Sequence, residues 1–103
     1  MRKRNYSRRL LKYSNPITAQ HQAHKYLGKT AKLYPSNKKD KKYTIYDPNN
    51  DKWINFGQLG YEDFTKHKNK ERRKNYLTRS RNIKGNWKNN KYSPNNLSIH
   101  ILW

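Results

Sequence analysis

No cysteine occurs among the 103 residues, so disulfides and thiolate-held zinc are both excluded and stability has to come from packing. Acidic residues are nearly as scarce. Six Asp and Glu stand against 25 Lys and Arg, a formal net charge of +19 at pH 7. A compact monomer of that charge repels itself, which favours a state neutralised by an anionic partner. Long apolar runs are missing too: hydrophobic residues make up 31% of the chain. Leu10-Leu11 is too short for a signal-peptide core, and no stretch is long enough to span a bilayer. Met1-Arg2 does not fit an N-myristoylation start, and no helix has the broad apolar face that membrane-surface binding requires. The expectation is a soluble, intracellular protein, or one carried inside a particle assembled there.

What the chain does have is aromatic bulk, with 9 Tyr, 3 Trp and 2 Phe. In a chain of this length they supply one domain with a modest core. The expected fold class is α+β: a short antiparallel two- or three-stranded sheet packed with two to three helices, preceded by a basic N-terminal arm. The arm is assigned to residues 1–14 and the domain to residues 15–103. Arg2, Lys3, Arg4, Arg8, Arg9 and Lys12 carry the arm's charge with no acid among them, a pattern typical of segments that order on a partner. Tyr6 and Tyr13 lie within reach of that charge and suit stacking on bases.

Asn15-Pro16 reads as a helix start and Gly28 as its stop. Between them Ala19, Ala23, Tyr26 and Leu27 recur at helical spacing. Strands are read at Lys32 to Ser36, Tyr43 to Tyr46 and Trp53 to Phe56, with a lysine-rich turn over residues 37–42. Asp47-Pro48-Asn49-Asn50-Asp51 forms the second turn. Ile45, Ile54 and Phe56 are the expected buried residues, and Gly57 and Gly60 are expected to break the sheet. A basic helix should follow, starting near Asn69 and ending by Gly85, with Tyr76 and Leu77, flanked by Arg73 and Ser80 and with Ile83 beyond, as its packing stripe. Ser93-Pro94 opens a last helix, and Trp103 is expected to dock.

Catalysis finds little support. Glu62 and Asp63 are adjacent, so their side chains diverge on a regular element. His67 and Glu71 lie one helical turn apart, but a metal nuclease needs further ligands, for which only Asp63 and His100 offer themselves. His21 and His24 lack a third ligand. The expectation is therefore a protein that is not an enzyme and takes no metal or cofactor. The cations suit a polyanion: Arg forks phosphate oxygens and Lys supplies point charges. The candidate nucleic-acid-binding residues are Arg2, Lys3, Arg4, Arg8 and Arg9 in the arm, with Lys70, Arg72, Arg73, Lys74, Arg79 and Arg81 on the helix.

The second half of the chain carries a set of spaced motifs: Lys41-Lys42-Tyr43, Phe56-Gly57, Gly60 to Lys68, Glu71-Arg72-Arg73, Tyr76 to Arg79, Trp87, and Ser93 to Ser98 with Ile101-Leu102-Trp103. Over residues 30–103 this combination resembles a family of small basic proteins encoded by giant nucleocytoplasmic large DNA viruses. That family is of unknown function, so the resemblance implies a viral setting and not a mechanism. In such a setting two roles are natural. The first is a virion-associated protein that binds DNA or RNA through the phosphate backbone, without sequence specificity. The second is a minor capsid protein whose basic arm cements acidic surfaces of neighbouring capsomers. Either places it in the virion, and in the host cytoplasm or nucleus during infection.

Overall fold

The computed structural model describes residues 6–103, and its first regular element is α1, Arg8–Tyr13. Ser7 caps it by accepting from the Leu10 amide, and Leu10 is buried in the core. Over these residues the segment read as an arm is a capped helix docked on the domain. Leu10 supplies an apolar anchor that the charge count concealed.

The second helix, α2, spans Pro16–Leu27. Its boundaries follow the local chemistry: Asn15 Oδ1 accepts from the Ile17 and Thr18 amides, and Gly28 at φ 108° returns its amide to the His24 carbonyl. Ala19 and Ala23, one turn apart, are both fully buried. Their small side chains let the helix axis approach the C-terminal turn closely.

Three strands, β1 (Tyr34–Pro35), β2 (Lys41–Asp47) and β3 (Lys52–Gln58), form an antiparallel sheet in sequence order. Tyr43 faces Phe56 and Ile45 faces Ile54 across β2 and β3. Asp47 fixes the turn between them, its carboxylate accepting from the amides of Asn49 and Asn50 and from the Asn50 side chain. Tyr43, Ile45 and Phe56 are buried as the alternation requires, while Ile54 is only partly covered. The lysine-rich turn is shorter than expected, since Lys41 and Lys42 already belong to β2. Gly57 does not break the sheet. It lies inside β3 at φ 82°, and a Cβ there would sit 2.8 Å from Leu102 Cδ1.

The basic stretch is two helices, α3 (Phe64–His67) and α4 (Lys70–Arg81). Lys68 turns left-handed between them at φ 56°, and Asn69 caps α4 by accepting from the Glu71 and Arg72 amides. The start near Asn69 is as the sequence indicates, but the helix closes at Asn82. Ile83 therefore falls outside the packing stripe and is 53% exposed.

The chain ends in α5 (Pro94–Leu97), capped by Ser93, which runs directly into a π-helical turn over Ser98–Leu102. Leu97, Ile99, Ile101 and Leu102 are all buried, and of this turn only His100 reaches solvent. The α+β architecture with a three-stranded antiparallel sheet thus stands, with α1 and α3 as short additional helices. Leu10, Ala19, Ala23, Leu33, Tyr43, Ile45, Phe56, Leu97, Ile101 and Leu102 form one core cluster.

Candidate nucleic-acid interface

Helix α4 buries Leu77 and Ser80, and Tyr76 stacks on the Trp103 ring at 4.2 Å and 9°. These residues, with Arg73, follow the i, i+3, i+4, i+7 spacing of one helical face. Arg73 is consequently used within the molecule: its Nε donates to the Trp103 carbonyl at 2.6 Å and its guanidinium lies 5.5 Å from the centre of the Phe64 ring. The remaining cations split into two groups flanking that face. Lys70, Lys74 and Arg81 lie along one flank, Arg72 and Arg79 along the other, and the crest between them carries Glu71, Asn75 and Thr78. Arg72 also pairs with Glu62 at 3.4 Å, an exposed contact of little energetic weight.

Arg8 and Arg9 are exposed on α1. Arg2, Lys3 and Arg4 lie outside the described residues. All the described candidates therefore reach solvent, but the structure sets them on two separate helices and spends Arg73 on packing.

The carboxylates follow another logic. Asp63 is fully buried and its Oδ2 accepts from Lys42 Nζ at 3.0 Å, while the ammonium also donates to the Tyr61 carbonyl at 2.6 Å. Asp63 Oδ1 caps α3 by accepting from the Thr65 amide and from the Thr65 hydroxyl. That hydroxyl accepts from the Asn15 amide and meets Ser14 Oγ, which in turn lies 2.7 Å from the Tyr43 hydroxyl. One buried polar chain thus ties β2, the α1–α2 junction and α3 together. Burial lowers the Lys42 pKa, against the opposing pull of Asp63, and burial raises that of Tyr43. The sequence offers no periodic signal for this pair. Lys42 reads there as one more lysine in a charged turn, and Asp63 as half of an acidic dipeptide.

His67 Nδ1 accepts from the Asn69 amide at 2.9 Å, and its ring packs against Phe64 and Trp103. His100 stacks on Tyr26 at 4.3 Å and 13°. Among the described residues no group of three or more His, Cys, Asp or Glu is arranged to hold a metal ion. Nor, among them, is any helix long and apolar enough to cross a membrane.

Both histidines have lowered pKa values, chiefly through burial and secondarily through nearby cations, Arg72 for His67 and Arg81 and Lys91 for His100. The unfolded chain therefore takes up protons first as the pH falls below the ordinary histidine value of about 6.5. Folding stability should fall between pH 7.5 and 5, read as an earlier urea midpoint. His100→Phe, which keeps a ring on Tyr26, should flatten part of that slope. A midpoint unchanged or later at pH 5 would contradict the assignment.

Sequence reasoning also passed over three aromatic residues. Tyr46 and Trp53 are cross-strand partners whose rings lie 5.5 Å apart, and Tyr34 meets Trp53 at 5.7 Å. The signal was present, because Asp47 and Lys52 pair at the base of the turn over residues 48–51 and Tyr46 and Trp53 form the next pair outward.

Residues 31–80, just under half the chain, match a family of unknown function (DUF5754). No curated protein matches the chain, and no solved structure does. The matched span holds the sheet, α3 and nearly all of α4, whereas α1, α2 and the C-terminal turn that complete the core lie outside it.

Proposed function

We propose that the protein is a virion-associated, non-enzymatic protein that binds the nucleic-acid backbone without reading sequence and so neutralises or packs a genome. The observation that carries this reading is how the fold sorts charge. Every described Lys and Arg except Lys41 and Lys42 is exposed. Four of the six acids are engaged by the protein itself: Asp47 in its turn, Asp51 with the Tyr46 hydroxyl, Glu62 with Arg72 and Asp63 with Lys42. The result is a surface of nearly one sign, the electrostatic footprint of a backbone binder. The viral setting rests on the motif resemblance over residues 30–103.

Arg73 belongs to the packing, so the informative variant spares it. Lys70→Glu, Lys74→Glu and Arg81→Gln together remove one flank of α4 while leaving Leu77, Ser80 and the Trp103 contact intact. Affinity for random-sequence duplex DNA should drop by roughly tenfold or more. The slope of log affinity against log salt should shrink by about 3, one unit for each lost phosphate contact. A folded triple variant with unaltered affinity and slope would remove this flank as a contact surface. Wild-type binding that ignores salt would remove the function.

The second reading, a minor capsid protein, draws support from the groove between α1 and α2. There Leu11 and Ile17 are 42% and 72% exposed beside His21 and Lys66. Particle fractionation separates the two: a genome binder leaves with the nucleic acid, and a cement stays with emptied shells.

A further inference from the structure

We propose that a cationic cleft between α1 and the β1–β2 turn is a phosphate-binding site, through which the protein grips a polynucleotide backbone. This rests on the backbone-binding reading above and adds to it a second place of contact, on elements other than α4. The cleft has a volume of about 390 Å³. Arg9 comes to it from α1, Lys38 and Lys39 from the turn, and Lys41 from the start of β2. Among the described residues no acid lines it. Lys42 borders it too, but its ammonium is committed to Asp63 and the Tyr61 carbonyl. Leu10, Pro35 and Leu59, all buried or half-buried, supply apolar surface between the charges.

Both sides of the cleft are held in place by the fold itself. In the turn, Ser36 Oγ accepts from the Lys38 amide at 3.0 Å, and the Ser36 hydroxyl donates to Asn55 Oδ1 on β3. The Lys41 amide donates to the Lys38 carbonyl, and the Leu59 amide donates to the Asp40 carbonyl at 2.9 Å. On the other side, Arg9 directly precedes the buried Leu10, whose amide is bound by the Ser7 cap. The backbone carrying all four cations is therefore fixed in advance, and a ligand has only side chains to order.

Four like charges around one concavity repel each other, and low-dielectric walls focus their field into the space between them. An anion placed there relieves that repulsion. A polynucleotide supplies one at every nucleotide whatever its sequence, whereas a protein partner would have to bring a run of acids to the same spot. The side chains suit the phosphate: Arg9 can fork two of its oxygens, and the three lysines add point charges. The volume is near the lower end of ligand clefts, which fits a phosphodiester with its sugars lying on Leu10, Pro35 and Leu59. Contacts of this kind set register on the backbone and carry no sequence information.

The test compares two triple variants of equal net charge. Lys38→Gln, Lys39→Gln and Lys41→Gln empty the cleft of lysine charge, while Lys25→Gln, Lys29→Gln and Lys84→Gln remove exposed lysines that do not line it. Binding to labelled random-sequence duplex DNA is followed by fluorescence anisotropy over a salt series, with circular dichroism checking the fold. The cleft variant should lose roughly tenfold or more in affinity, and its slope of log affinity against log salt should shrink by about 3. The control should lose no more than about threefold. A folded cleft variant that binds like the control would overturn the site and leave the backbone-binding function standing. Wild type that binds no DNA at low salt would overturn both. Amide chemical shifts of the wild-type protein, titrated with a short oligothymidylate, need no variant to fold. Arg9 and residues 36–41 should move first, and shifts confined to other residues would overturn the site. Polyglutamate that moves the same amides at lower concentration than the oligonucleotide would likewise overturn it, in favour of an acidic protein partner.

Discussion

Asp63→Ala should destabilise the fold by about 3–5 kcal/mol, because it strands a buried ammonium without its counter-charge. Lys42 is 3% exposed and Asp63 is fully buried, so water cannot take over the missing role without local opening. The substitution also removes the cap of α3 and the acceptor that orients Thr65, and through Thr65 the link to Ser14 and Tyr43. Against the 5–15 kcal/mol typical of a whole domain, this loss is large enough to leave a sizeable unfolded fraction. Urea denaturation measures it directly. Lys42→Met combined with Asp63→Ala should recover much of the loss, since an apolar pair avoids desolvation altogether. The single variant should also grow more stable as the pH is raised. Without Asp63 the buried Lys42 has a still lower pKa, the unfolded chain then holds the extra proton, and stability rises through that window until Lys42 is neutral in both states. A loss below about 1 kcal/mol would mean that the pair is a bystander of the fold.

Gly57→Ala should cost about 2–5 kcal/mol, for two separable reasons. A φ of 82° costs an L-residue on the order of 1–2 kcal/mol. The new methyl group would also lie 2.8 Å from Leu102 Cδ1 and 3.3 Å from Lys42 Cβ, an overpacking that adds roughly 1–3 kcal/mol. Gly60→Ala provides the control. It has a similar positive φ, 108°, but nothing within 4 Å of the added atom, so only the backbone share should appear. Equal losses at the two positions would show that Leu102 does not press on β3.

These two sites mark the limit of what the sequence discloses. The caps of α2, α4 and α5 are legible because Asn15-Pro16, Asn69 and Ser93-Pro94 act within three or four residues of themselves. The hairpin is legible for the same reason, since Asp47 organises its own turn. Lys42 with Asp63 and Gly57 with Leu102 are contacts between distant parts of the chain, where composition hides the geometry: a buried lysine looks like any other in a run of lysines. The C-terminal segment is ambiguous on apolar period, because Leu97 and Ile101 lie four apart while Leu97, Ile99, Ile101 and Trp103 also alternate. It is covered on nearly every side, so neither a helical nor a strand-like polar face develops, and the Ser93 cap decides the outcome. In the candidate interface, the cations were legible as a composition but not as a surface. Arg73 is drawn inward by the Trp103 carbonyl and the Phe64 ring, and no local rule announces it.

The core cluster joins Leu10, Ala19 and Ala23 to Leu97, Ile101 and Leu102. During synthesis, at roughly 5–20 residues per second, the sheet and the basic helix emerge before the residues that cover them. Until residues 97–102 follow, the growing chain is therefore strongly cationic while its core is still half-closed.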